Sequence, residues 1–104
     1  MLSAIKKMLG MGQSPDLGAL IEGGAVIIDV RTPAEYAAGH LKNSTNIPLN
    51  TLGAQLAKLK KDRAIITCCA SGMRSASART MLKSNGFEQV HNGGSWLSLK
   101  KYEK

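Results

Sequence analysis

Ala64-Ile65-Ile66-Thr67-Cys68-Cys69-Ala70-Ser71-Gly72-Met73-Arg74-Ser75 joins a β-branched apolar run, Ala64 to Thr67, to a helix-like segment running from Ser75 to Asn85. An apolar run without alternation predicts a strand covered on both faces. In the helix that follows, Ala76, Ala78, Met81 and Leu82 form the core-facing side and Gly86 is the stop. A cysteine where a buried strand gives way to a helix faces backbone N–H groups and the positive end of the helix dipole, and both favour thiolate over thiol. An ordinary cysteine, with a pKa of about 8.5, is only slightly ionised at neutral pH, whereas such surroundings bring it to ~7 or lower. Cys69 is therefore expected to be a reactive nucleophile.

Working outward, Ala25-Val26-Ile27-Ile28 is a second continuous apolar run, with Asp29 at its carboxyl end. Thr32-Pro33-Ala34-Glu35 has the pattern of a capping box with proline at the first helical position, and Gly39 ends that short helix. Ser14, Pro15 and Asp16 read as an N-cap, a first-turn proline and a dipole-favoured acid opening a helix to about Glu22, which Gly23 and Gly24 stop. Asn46-Ile47-Pro48 offers only a brief strand, because Pro48 donates no ladder hydrogen bond. Leu52, Leu56 and Leu59 repeat at helical spacing; Gln89 and Val90 make a last short strand. Gly93 and Gly94 then turn into a terminal helix bearing Trp96, Leu97 and Leu99. Two buried strands, each followed by a helix, predict an α/β fold: a parallel sheet between helix layers, with right-handed crossovers. Ligands in such sheets bind beyond the carboxyl ends of the strands, where Asp29 and Cys69 fall.

Within the cysteine loop, Gly72 permits the crowded dihedrals that turn N–H groups inward as an anion nest. Ser71 and Ser75 add hydroxyl donors, and Arg74 adds a planar cation for a doubly charged anion or for the thiolate. A purely structural reading makes Cys69 a small buried hydrophobe and Gly72 and Ser75 a turn and cap. Cysteine, glycine, arginine and serine in this order after a buried strand favour function. Cys68 points the other way and is read as packing. Asp29 and Arg31 support the site as a strand-end brace. His40 and His91 are read as hydrogen-bonded structural residues, and Trp96 as a cover for the core.

At 104 residues the chain is expected to form one domain from residue 14 to 104, after an N-terminal extension, 1–13, that is a short amphipathic helix or flexible. Leu2, Ile5, Met8 and Leu9 are spread at helical spacing, unlike a secretion signal, and no transmembrane run occurs. Two adjacent cysteines make no disulfide framework and fit a reducing compartment, so a cytoplasmic location is expected. The net charge of +7 draws small anions or an acidic protein partner. Nucleic-acid binding is not expected, since no zinc-knuckle spacing, aromatic stacking pair or recognition helix accompanies the charge.

The chain resembles the rhodanese-like family of sulfurtransferases. Ile28-Asp29-Val30-Arg31 with Pro33, Glu35, Tyr36, Gly39, His40 and Leu41, then Asn46-Ile47-Pro48, is similar to the family's first signature. Cys69, Gly72, Arg74 and Ser75, followed by Ala78, Leu82, Gly86, Phe87, Val90, Gly93, Gly94 and Trp96, is similar to the second. The resemblance implies a three-layer α/β/α domain around a mainly parallel sheet of about five short strands. It makes Cys69 the residue that carries a persulfide and Ala70, Ser71, Gly72, Met73, Arg74 and Ser75 the active-site loop. Four residues separate Cys69 from Arg74, one fewer than in related phosphatases, which favours a single sulfur atom over a phosphoryl group. The nearest acids in sequence, Asp62 and Glu88, supply no evident general acid for phosphatase chemistry. The implied reaction moves a sulfane sulfur from thiosulfate or another persulfide donor to cyanide or a thiol, with no metal and no organic cofactor. A non-turnover persulfide carrier or regulatory interaction module is the alternative.

Overall fold

β1 (Val26–Asp29) and β3 (Ile65–Cys69) form the centre of a sheet in which β2 (Ser44–Asn46) flanks β1 and β4 (Val90–Ser95) flanks β3. The computed structural model describes residues 16–103; the expected helix within 1–13 and the Ser14 cap lie outside the described residues. Every pairing is parallel. Among the described residues the sheet has four strands, where about five are expected, and both ends of the described chain are helical: α1 (Leu17–Glu22) and a 3-10 helix over Trp96–Tyr102.

Alternation along the strands builds two apolar layers. Ile28, Ile65 and Cys69 face Leu52, Ala78, Leu82 and Phe87, beneath α3 (Leu49–Gln55) and α4 (Met73–Ser84). Ile27, Ile66 and Cys68 face Leu41 and Leu99, with Leu17, Leu20, Ile21, Trp96 and Tyr102 packed against them. Each of the fully buried aliphatic side chains contributes roughly 1.5–3 kcal/mol, enough for the two faces to fix strand register.

Several boundaries differ from the sequence reading for physical reasons. Asp16 is the N-cap of α1, its Oδ1 accepting the Ala19 N–H at 3.0 Å. The brief strand sits at 44–46 instead of 46–48, because Pro48 opens α3. Leu59 lies past the 3-10 turn Leu56–Lys58 that ends α3, in extended backbone. The expected terminal helix is of the 3-10 type, where residues three apart share a face, so Trp96 and Leu99 turn inward and Leu97 is 59% exposed. Within α4, Ser75 is buried and Ala76 exposed, the reverse of the expected core side at that turn. No helix among the described residues is long and apolar enough to cross a membrane.

Candidate active site

α4 begins at Met73, two residues before the expected start, so Met73, Arg74 and Ser75 form its first turn and the loop proper is Ala70–Gly72. The N-cap is Gly72, left-handed at φ 105° and without a side-chain cap. That backbone conformation is one that side chains with a Cβ rarely adopt, so the position favours glycine. This compact start points the first N–H groups of α4 back at the end of β3.

Cys69 occupies that focus, fully buried. Its Sγ accepts the Gly72 N–H at 2.9 Å and the Ser75 N–H at 3.4 Å, and lies 3.4 Å from Ser75 Oγ. Burial pushes the thiol up; the Ser75 hydroxyl and N–H and the N–H groups of Gly72 and Ser71 outweigh it, leaving the pKa below the ordinary value. Thr67 Oγ1 donates to the Ser75 carbonyl at 2.8 Å, which locks the first turn of α4 to β3. Cys68 faces the other layer, where burial, and then the Asp29 charge, push its thiol up to about 12. It is a packing residue.

Asp29 and Arg31 make a buried pair at the strand ends. Arg31 Nε donates to Asp29 Oδ1 and Oδ2 at 2.9 and 3.0 Å, and Nη2 to Oδ2 at 2.8 Å. The guanidinium also donates to the carbonyls of Glu35 and Gly39 and lies 4.6 Å from the centroid of the Trp96 ring. The pair thus braces β1 against α2 (Pro33–Ala38) and the chain after it.

Two residues that sequence reasoning did not place at the site converge on the loop. Glu35 completes the Thr32 capping box of α2, and its carboxylate also takes a fork from Arg74, with Nη1 and Nη2 at 2.6 and 2.9 Å. Arg74, and then the Thr32 N–H, hold the Glu35 pKa down at about 2. Arg74 is therefore an ion-paired, half-exposed group, its guanidinium fixed by Glu35 beside the loop. Asn92, on β4, donates from Nδ2 to the Gly72 carbonyl at 3.1 Å and accepts the Ser75 hydroxyl at 2.6 Å. It reaches the loop because β4 bulges at Gly93–Gly94, shifting register between Thr67 and Cys69. A Cβ on Gly93 would lie 2.8 Å from Ile66 Cγ2, so only glycine lets the strand pass this close.

The remaining candidates stand apart from the sulfur. His40 is exposed, its ring stacked on Tyr36 at 3.8 Å and its Nδ1 2.8 Å from the Tyr36 carbonyl. His91 lies on β4, its pKa lowered by burial and by Arg79 and Lys83. Asp62 and Glu88 precede β3 and β4, at the opposite end of the sheet from Cys69. Lys58, Lys60 and Arg63 line a groove of about 470 Å³ that also takes in Val26, at the start of β1. Among the described residues, no group of three or more His, Cys, Asp or Glu is placed to hold a metal ion.

A buried strand-end cysteine ringed by N–H donors invites comparison with known proteins. The chain is 39% identical over 72 residues to a tRNA uridine(34) hydroxylase of Cronobacter sakazakii, covering 64% of this chain but only 21% of that protein. It is 33% identical over 67 residues to a sulfurtransferase of Allochromatium vinosum, covering 64% of this chain and 63% of that one. The solved structure of a human single-domain sulfurtransferase superposes with a TM-score of 0.75 at 26% identity, over 86% of this chain and 94% of that one. The family model of the rhodanese-like domain matches residues 14–97, a span that holds the whole sheet, the Cys69 loop and its Glu35 and Asn92 supports. On that match the chain belongs to the rhodanese-like domain family.

Proposed function

We propose that this protein is a thiosulfate or persulfide sulfurtransferase in which Cys69 carries the transferred sulfur. The observation that carries the reading is the convergence of the Gly72 and Ser75 N–H groups on Cys69 Sγ at the start of α4. The Cys69 thiolate attacks the outer sulfur of thiosulfate; a new S–S bond forms, the old one breaks, and sulfite leaves with its electron pair. Cyanide or an acceptor thiolate then attacks the outer sulfur of the persulfide and returns Cys69 as thiolate. Charge on the outer sulfur is met by fixed amide dipoles, by the logic of an oxyanion hole. Arg74, held by Glu35 beside the loop, attracts the dianionic donor. The reading places this chemistry in the cytoplasm, with a thiol or an acidic protein as the acceptor.

The test is thiocyanate formation from thiosulfate and cyanide. Cys69→Ser abolishes it and Cys68→Ser leaves it intact; a Cys69→Ser protein with unchanged turnover overturns the proposal. A gain in mass of one sulfur on Cys69 without turnover favours the carrier reading. Arg74→Ala raises the KM for thiosulfate if the guanidinium helps to bind the donor.

A further inference from the structure

Asn92 completes a hydrogen-bond chain behind Cys69 that the sulfur-transfer steps above do not use. Ser75 Oγ lies 3.4 Å from Cys69 Sγ and 2.6 Å from Asn92 Oδ1. The orientation of the Asn92 amide follows from its two other partners. The Gly94 N–H, which can only donate, meets Oδ1 at 2.9 Å; the Gly72 carbonyl, which can only accept, meets Nδ2 at 3.1 Å. Asn92 therefore presents an acceptor to Ser75, and the hydroxyl donates to it. A serine hydroxyl has one proton. With that proton on Asn92, Ser75 offers the sulfur only a lone pair, which suits S–H and not the thiolate.

We propose that Asn92 is a positioning residue that, through Ser75, controls how readily Cys69 ionises, by competing with the sulfur for the single hydroxyl proton. As Cys69 gives up its proton to water, the Ser75 hydroxyl turns from Asn92 to the thiolate. Asn92 Oδ1 keeps the Gly94 N–H, so the turn strands no acceptor. The other groups around the sulfur stay as they are in both states. The Gly72 and Ser75 N–H groups are fixed in the backbone. Arg74 of α4 is ion-paired with Glu35 of α2, and Asp29 of β1 with Arg31, in both states. Cys68 keeps its proton far into the alkaline range. The serine hydroxyl is thus the mobile element of the site. The inference rests on Cys69 being the working sulfur, but it concerns ionisation and needs no sulfur donor to test.

The experiment follows the Cβ carbon NMR shift of Cys69 against pH in the full chain, with Cys68 as an internal reference. Asn92→Ala frees the Ser75 proton for the thiolate and lowers the Cys69 pKa by about one unit, the worth of one charge-assisted hydrogen bond. The strand-favouring Asn92→Val gives the same shift. In a Ser75→Ala background neither substitution moves the pKa, because no proton remains to redirect. An unchanged or raised pKa in both Asn92 variants overturns the proposal. So does an equal fall in the Ser75→Ala background, which would mark a loosened loop. A protein that makes no thiocyanate yet shows this pattern would retain the relay and lose only the proposed turnover.

Discussion

Arg31→Ala should be the most damaging single substitution at the strand ends. Asp29 is completely buried and its carboxylate accepts three side-chain hydrogen bonds from Arg31, besides the Arg31 N–H at 3.0 Å. Truncation leaves that charge without its counterion and removes donors from the Glu35 and Gly39 carbonyls. Breaking one side of a buried pair costs about 3–5 kcal/mol, against ~5–15 kcal/mol for the whole domain. In a domain of this size each kcal/mol moves Tm by about 4–8 °C, so the melting point should fall by at least ~12 °C. Arg31→Lys keeps a charge but not the fork, and should lose about half as much. Asp29→Asn combined with Arg31→Ala should recover part of the loss, because a buried amide is less costly than a buried carboxylate. Urea unfolding at constant m-value is the assay. A cost of under ~1 kcal/mol for Arg31→Ala would place the pair among exposed ion pairs and refute the brace.

Further predictions concern the sulfur and its supports. Thiosulfate treatment should add one sulfur atom to the wild type and to Cys68→Ala but none to Cys69→Ser, read by intact mass; sulfur found on Cys68 would contradict its placement in the opposite layer. Because the Cys69 pKa is lowered, the rate of sulfur loading should rise with pH with its midpoint below that of an ordinary thiol, measured by stopped-flow under single-turnover conditions. Glu35→Gln keeps an acceptor for Thr32 but removes the charge that neutralises Arg74, so the thiosulfate KM should fall about threefold; a rise would show that fixing the guanidinium matters more than freeing it. The carboxylate of Glu35 is depressed from 4.5 to about 2, so the stabilisation it brings is complete above pH 4.5 and is lost as pH falls toward 2. Acid titrations of the wild type and Glu35→Gln should therefore converge at the low end.

What could be read from the chain is what neighbouring residues decide. Val26 to Ile28 and Ile65 to Thr67 are strands because continuous apolar runs need cover on both faces, and Thr32 with Glu35 caps α2 because the two lie one turn apart. The same local logic puts Cys69 and Asp29 at one end of the sheet, where Asp29 pairs in register with Cys68, the residue before Cys69. It failed where partners are distant in sequence. Nothing near Arg74 names Glu35, 39 residues away, and nothing near Ser75 names Asn92, 17 away. The start of α4 is not legible locally because its cap is a left-handed glycine with no side chain to announce it. These non-local contacts set the chemistry of the sulfur. A strand-end cysteine before a helix is made reactive by the direction of a few N–H groups, and that direction depends on three separate supports. Glu35 holds the first turn of α4 from α2, Thr67 holds it from β3, and Asn92 holds Gly72 and Ser75 from β4. Loosening the hold of Glu35 should alter the ionisation of Cys69 without unfolding the sheet, since Glu35 lies outside the apolar layers that fix strand register, whereas Thr67 is fully buried in β3 and Asn92 acts through the Ser75 hydroxyl.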